Sequence, residues 1–142
     1  MAGFVSSLDA MDTTAPTKES IADFFARYTG YLTEGDLDGL ADIYSYPSLA
    51  VSPQGILAIT DAEQTRAFFA AGREFYHGRQ IMAVRAADIV TDIEVGTIWV
   101  GHLVLENLDA DGNLVDRERN AYQVVTGPDG IRRIAVTTPL DA

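Results

Sequence analysis

The chain has 142 residues, no cysteine and a formal net charge of -11 with a sequence pI near 4.3. Its length suits one domain that buries about two-thirds of its unfolded surface, and 47% hydrophobic with 22% charged residues is the balance of a soluble globular chain, not of a disordered or membrane chain. Ten scattered Lys and Arg residues exclude a basic nucleic-acid groove, and the lack of cysteine excludes disulfides, thiolate nucleophiles and thiolate metal sites.

The opening MAGFVSSLDAMDTTAPT has neither a basic region nor an apolar stretch of signal-peptide length, and no later run approaches a membrane span. A cytoplasmic location and no membrane partner are the expectation. Residues 1–15 read as a loose tail or short arm, and residues 16–142 as a single domain. From Pro16, suited to a first helical turn, Ile21, Phe24, Phe25, Tyr28, Tyr31 and Leu32 recur at three- and four-residue intervals on one helix face. Gly35 ends this helix and Asp36 caps the next, whose stripe is Leu37, Leu40, Ile43 and Tyr44. Pro47, Pro53 and Gly55 break Ser45 to Thr60 into a small hairpin. Asp61 with Gln64 is a capping-box pattern opening a third helix, with Phe68, Phe69, Phe75 and Tyr76 as its apolar face and a stop near Gly78.

The remainder is rich in Val, Ile and Thr and predicts four strands: Ile81 to Val90, Thr97 to Glu106, Leu114 to Thr126 and Ile131 to Thr138. Short turns at 109–113 and 127–130 force antiparallel hairpins. The expected fold is α+β: a cone-shaped, curved antiparallel sheet with three helices from the N-terminal half packed on its concave face. Pairing Thr126 with Ile131 sets Tyr122 opposite Ala135 and Asn120 opposite Thr137, on one face with Glu118, Arg133, Trp99, Gly101 and Leu103. The other face then carries Ile98, Val100, Val104, Ala121, Val125, Ile134 and Val136. Helices cover only one face, so the second apolar face predicts a homodimer through the outer sheet surface.

Ala26-Arg27-Tyr28, Gly35-Asp36-Leu37, Tyr44, Val51-Ser52-Pro53 with Gly55, Ala67-Phe68-Phe69 and Asp129-Gly130-Ile131, taken in order, resemble the nuclear transport factor 2-like superfamily, and locally its ketosteroid isomerases. The resemblance spans nearly the whole domain. It implies a cone with a deep apolar pocket, and a mechanism in which an aspartate base moves a proton beside a carbonyl while a tyrosine and a protonated aspartic acid hold the oxyanion. Tyr28 matches the donor tyrosine and Tyr44 is kept, but the base position holds Ser52, the acid position holds Tyr122, and the second pocket tyrosine is Phe69. A serine without an activating partner is not basic enough to shuttle a proton at neutral pH, so steroid-type isomerisation is not expected.

Dehydratases of this superfamily use two histidines, and the chain has His77 and His102. His77, just before Gly78, suits a helix C-terminus. His102 falls on the outer face beside Arg119, and would become a general base only if the register slipped by one. Asp116, Arg117, Glu118 and Arg119 carry the residue types of an epoxide hydrolase but alternate between faces, as in a cross-strand ion-pair ladder. Glu118 with Arg133 on the inner face leaves Glu118 as a further acid–base candidate. No phosphate loop, dinucleotide fingerprint, zinc motif or nucleophile elbow occurs.

The sequence therefore predicts a dimeric protein that binds a small hydrophobic, cyclic or carbonyl-bearing molecule, without cofactor or metal, in a pocket lined by Tyr28, Tyr44, Ser52, Phe69, Trp99, Asn120 and Tyr122, with Tyr28 and Tyr122 orienting the carbonyl. An enzyme of the cyclase or dehydratase kind using His102 or Glu118 is one alternative. A non-catalytic dimeric interaction domain, its cone filled by side chains, is the other.

Overall fold

The computed structural model describes residues 19–140. The arm expected at residues 1–15 and the proline at 16 lie outside the described residues. Three helices, α1 (Ile21–Glu34), α2 (Leu37–Ile43) and α3 (Ala62–Gly78), accompany six strands, β1 (Tyr44–Ser52), β2 (Gly55–Ile59), β3 (Ala83–Val95), β4 (Ile98–Leu108), β5 (Leu114–Thr126) and β6 (Arg132–Pro139).

Local chemistry sets the helix boundaries. Ser20 caps α1 by accepting from Asp23 N at 3.1 Å, so the first turn starts at Ile21. Gly35 stops α1 in the left-handed conformation at φ 70°, donating its N–H to Tyr31 O at 2.9 Å. The Arg73 guanidinium of α3 lies against this glycine and donates to the orphan carbonyls of Leu32 and Thr33, each at 3.3 Å. A side chain at 35 would collide with it. Asp36 caps α2 through Gly39 N at 2.9 Å, and Asp61 caps α3 through Gln64 N at 2.9 Å. Tyr44, grouped by spacing with the α2 stripe, is the first residue of β1.

The strands form one sheet in the order β2-β1-β6-β5-β4-β3. All neighbours are antiparallel except β1 and β6, which run parallel, so the sheet is mixed. The parallel junction joins the small hairpin to the last strand, a pairing between distant segments that no local pattern announces. In the β4–β5 ladder Gly101 faces Tyr122 and Leu103 faces Asn120, as the alternation rule predicts.

The β5–β6 register differs from the expected one. Gly127 N donates to Ile131 O at 3.1 Å, so the ladder proper starts with Thr126 opposite Arg132 instead of Ile131. A bulge then leaves Ala135 unpaired between Val124–Ile134 and Gln123–Val136. Tyr122 consequently stands opposite Thr137, not Ala135, and Asn120 opposite Pro139, not Thr137. Ile134, expected outside, is fully buried in the core. Arg133, expected inside beside Glu118, pairs across the sheet with Val125 and donates to Asp129 at 3.0 Å and to Asp42 O at 3.1 Å.

The core lies at the closed end of the cone: Phe24, Phe25 and Tyr28 of α1, Leu40 and Ile43 of α2, and Trp99, Leu103, Leu105, Tyr122, Val124 and Ile134 of the sheet. Trp99 is 1% exposed, its ring tilted against Phe25 at 5.6 Å and its Nε1 donating to Thr91 Oγ1 at 2.8 Å. That placement depends on Gly101, where a Cβ would meet Val90 O at 2.2 Å and the indole at 2.4 Å. Neither neighbour can yield without opening the sheet. Gly101→Ala is therefore expected to cost about 1–3 kcal/mol through overpacking, read as a lowered urea midpoint at unchanged slope.

Candidate functional site: a cavity between the third helix and the sheet

A cavity of about 850 Å³ lies between α3, the β1–β2 hairpin and the concave face of β4–β6. Its walls are mainly apolar, which is the character of small-molecule sites. A cone packed full by its own side chains is thereby excluded. Leu49, Ile56, Leu57, Phe68 and Phe75 line it and are exposed, so the rim of the opening is greasy. For Phe68 and Phe75 this departs from a simple core-facing stripe: Phe69 packs on the core while its neighbours border the opening.

The helix above the cavity is fastened near both ends. Tyr46 Oη lies 2.9 Å from Thr65 Oγ1 and donates to Ala41 O at 2.6 Å, and Arg66 pairs with Asp38 at 3.0 Å. At the other end Tyr76 Oη donates to Glu118 Oε2 at 2.6 Å and Arg79 forms an ion pair with Asp116.

Three phenols converge at the deep end. Tyr28 and Tyr44 hydroxyls are 2.9 Å apart, and Tyr122 Oη accepts from Asn120 Nδ2 at 3.2 Å. Their rings meet edge to face, Tyr28 lying 6.1 Å from both Tyr44 and Tyr122. Burial, first among the causes, raises the pKa of all three: Tyr28 and Tyr44 rise well above a free phenol, and Tyr122 is pushed up to about 12. All three therefore stay protonated at neutral pH. They act as donors and cannot act as bases.

The second polar station sits along β5 and β4. Asn107 is fully buried and its amide donates to Asp116 Oδ1 and Glu118 Oε2, both at 2.8 Å. Burial pushes the Asp116 carboxyl up, while the Asn107 hydrogen bond and the Arg79 ion pair more than offset this and hold it below its ordinary range. Tyr76 is raised by burial and by its bond to Glu118, so it too remains a donor. Ser48 Oγ, Asn107 Oδ1 and Thr137 Oγ1, in the cavity wall, are buried without a hydrogen-bond partner among the described residues.

Of the residues expected in the pocket, Tyr28, Tyr44, Ser52, Phe69, Asn120 and Tyr122 line the cavity, as does Glu118. Trp99 does not; it is covered by Phe25 and belongs to the core. Ser52 sits at the hairpin, its Oγ accepting from Gln54 N at 3.2 Å, a turn-closing role at the rim. His102 is on the opposite face of the sheet, paired with Ala121, its Nδ1 2.9 Å from Asp92 Oδ2. It cannot reach the cavity. His77 occupies the last turn of α3 and does not line the cavity either. Arg117 pairs across strands with Glu106 at 3.5 Å, and Glu106 also with Arg85 at 2.8 Å, so the mixed-charge run is a ladder with only its acidic members turned inward.

Asn107, Ser48 and Arg73 are not singled out by the sequence, and Thr137 enters it only as the expected inner-face partner of Asn120. Asn107 lies one residue past the expected end of its strand, yet it continues the inward series Trp99, Gly101, Leu103, Leu105 as its one strongly polar member. A polar side chain at an inward position is the signal that marks it. Among the described residues no cluster of three or more His, Asp or Glu could hold a metal ion, and no helix is long and apolar enough to cross a membrane.

The architecture matches known structures. A protein of unknown function with a cystatin-like fold from Nostoc punctiforme superposes with a TM-score of 0.67 at 13% identity, over 84% of this chain and 86% of that one. Aln2 from a Streptomyces species gives 0.66 at 13% identity, over 89% and 93%. An NTF2-like protein with a cystatin-like fold from Novosphingobium aromaticivorans gives 0.65 at 15% identity, over 100% and 91%. At such identities the likeness concerns the fold alone. No curated protein matches the chain. The model of one family, described as NTF2-like protein (DUF6841), matches residues 17–142, and the chain belongs to that NTF2-like family.

Proposed function

We propose that this protein binds a small, hydrophobic, cyclic molecule bearing a carbonyl group in the cavity beneath α3. The observation that carries this is a count of hydrogens. Three buried phenols bring three hydroxyl hydrogens to the deep end of an apolar cavity, where Tyr28 bonds Tyr44 at 2.9 Å and interacts with Tyr122 as well, so their contacts with one another are fewer than their hydrogens. Asn120 adds to this by donating to Tyr122 Oη, which leaves the Tyr122 hydrogen to turn elsewhere. A carbonyl oxygen accepts such donors, and a ring system suits the apolar walls.

A second reading, an enzyme that moves a proton beside that carbonyl, is favoured by one observation: Glu118 brings a carboxylate into the same cavity. His102 has no part in either reading. We also propose a homodimer through the convex face of the sheet, supported by Val90, Ile93, Val95 and Ile98, which are 43%, 56%, 66% and 45% exposed there.

Titration calorimetry with 1-tetralone, a bicyclic ketone, tests the binding reading. Tyr122→Phe and Tyr28→Phe should each weaken binding about 3- to 10-fold, the loss of one hydrogen bond, while His102→Ala leaves it unchanged; undetectable binding to the unaltered protein would refute the reading for this ligand class. Because the donors stay protonated, affinity should be flat between about pH 6 and 9. Exchange of the ketone's α-hydrogens in deuterated water, followed by NMR, tests the enzymatic reading: acceleration abolished by Glu118→Gln supports it, and a rate no faster than buffer counts against it. Sedimentation should give a dimer that Ile98→Glu converts to a monomer.

A further inference from the structure

The phenol cluster accounts for one end of the cavity and leaves the other unexplained. Glu118 lines the cavity with its two oxygens used unequally. Oε2 accepts from Tyr76 Oη at 2.6 Å and from Asn107 Nδ2 at 2.8 Å. Oε1 has no hydrogen bond among the described residues. With Oε2 doubly held, the carboxylate cannot rotate freely, and the side of the group left over is an acceptor with a fixed position. Beside it, Asn107 is fully buried and Oδ1 has no partner among the described residues. The orientation of that amide is not arbitrary: flipping it would set its oxygen against the carboxylates of Asp116 and Glu118 in place of two donated hydrogens. Both uncommitted atoms are therefore acceptors, and what they lack is a hydrogen.

The same station is unsuited to a cation or an anion. The nearby Asp116 already has its counter-ion in Arg79, and the surrounding walls, Leu105, Val84 and Phe75 among them, are apolar. An ammonium entering there would give up its hydration for one carboxylate oxygen and one amide oxygen in apolar surroundings, while an anion would face Glu118 directly. A neutral hydroxyl meets the need at small desolvation cost, and a hydrogen bond to a charged acceptor is among the stronger kinds.

Strand β5 sets the relation between the two stations. Glu118, Asn120 and Tyr122 follow one another on its inner face, spanning about 13 Å of backbone, and Tyr122 leans back toward Asn120 through their hydrogen bond. One face of one strand thus presents a carboxylate acceptor at its outer end and a phenol donor at its inner end.

We propose that Glu118 and Asn107 form a hydroxyl-binding subsite, so that the cavity selects ring molecules carrying a carbonyl at one edge and a neutral hydroxyl at the other. This rests on the carbonyl-binding reading for the deep end only, and the test separates the two. Three matched probes are titrated calorimetrically: 1-tetralone with the carbonyl alone, 5,6,7,8-tetrahydro-2-naphthol with the hydroxyl alone, and 6-hydroxy-1-tetralone with both. The expected result is that 6-hydroxy-1-tetralone binds about tenfold or more tightly than 1-tetralone, in keeping with a hydrogen bond to a charged group. Glu118→Gln should erase that preference and weaken the naphthol equally, while His102→Ala, on the other face of the sheet, leaves all three probes unchanged. Tyr76→Phe, which frees Oε2 without removing the carboxylate, should reduce the preference only in part, and thermal unfolding of both variants checks that they remain folded. Equal binding of the two tetralones, or a Glu118→Gln variant that keeps the preference, would overturn the subsite while leaving the carbonyl site standing. Glu118-dependent binding of the naphthol with no binding of 1-tetralone would sustain the subsite and overturn the carbonyl reading. Binding of none of the three would overturn both.

Discussion

Gly101 sits opposite Tyr122 in the β4–β5 ladder with the Trp99 indole laid across it, and the disposition of the site follows from that packing. A glycine in a strand interior is ordinarily a weakness. Here its missing side chain admits the largest ring of the core, which fixes the inward parity of β4 and, through pairing, that of β5. Tyr122, Asn120 and Glu118 are thereby turned into the cone and His102 is turned out of it. Phe25 closes over the indole and lies 5.1 Å from the Tyr122 ring, so α1 is seated by the same cluster that presents the phenol.

A chain with a net charge of -11 keeps nearly all of that charge away from the cavity's deep end. The groups there are phenols, an amide and hydroxyls, and burial makes the phenols weaker acids still. Such groups cost less to bury than ions, and they retain direction. Among the described residues, the one carboxylate that lines the cavity is held where the wall meets the end of α3, secured by Tyr76 and Asn107. Polarity is graded from neutral phenols at one end to a carboxylate beside the end of α3, an order that suits the proposed binding of one apolar molecule by its edges.

Much of this was legible from residues whose chemistry is local. Gly35, Asp36 and Asp61 mark helix ends because the needs of a helix terminus are met within a few residues. Tyr28, Tyr44 and Tyr122 could be assigned to one pocket because helix and strand periodicities carry through whole elements. Arg133 and Ile134 were exchanged between faces for the opposite reason. The turn before β6 delays pairing by one residue and Ala135 bulges out, and alternation cannot register an inserted residue. Trp99 was placed in the pocket because its parity is right; depth along the cone, which puts it under Phe25, is a tertiary property. The role of Asn107 is not legible in the sequence because strand ends are poorly marked there, and its partners Asp116 and Glu118 come from the neighbouring strand β5.

The carboxylate of Glu118 is shared between two tasks. One oxygen accepts from Tyr76 and so secures the far end of α3, while the residue itself lines the cavity. In the proposed binding mode, occupant and roof meet on a single group, like a latch whose bolt is also the handle. An interaction that draws electron density or position from one oxygen is felt at the other, and by reciprocity the firmness of the roof sets how readily the interior is surrendered. On that proposal, retention depends less on the width of the mouth than on how long one phenol keeps hold of one carboxylate.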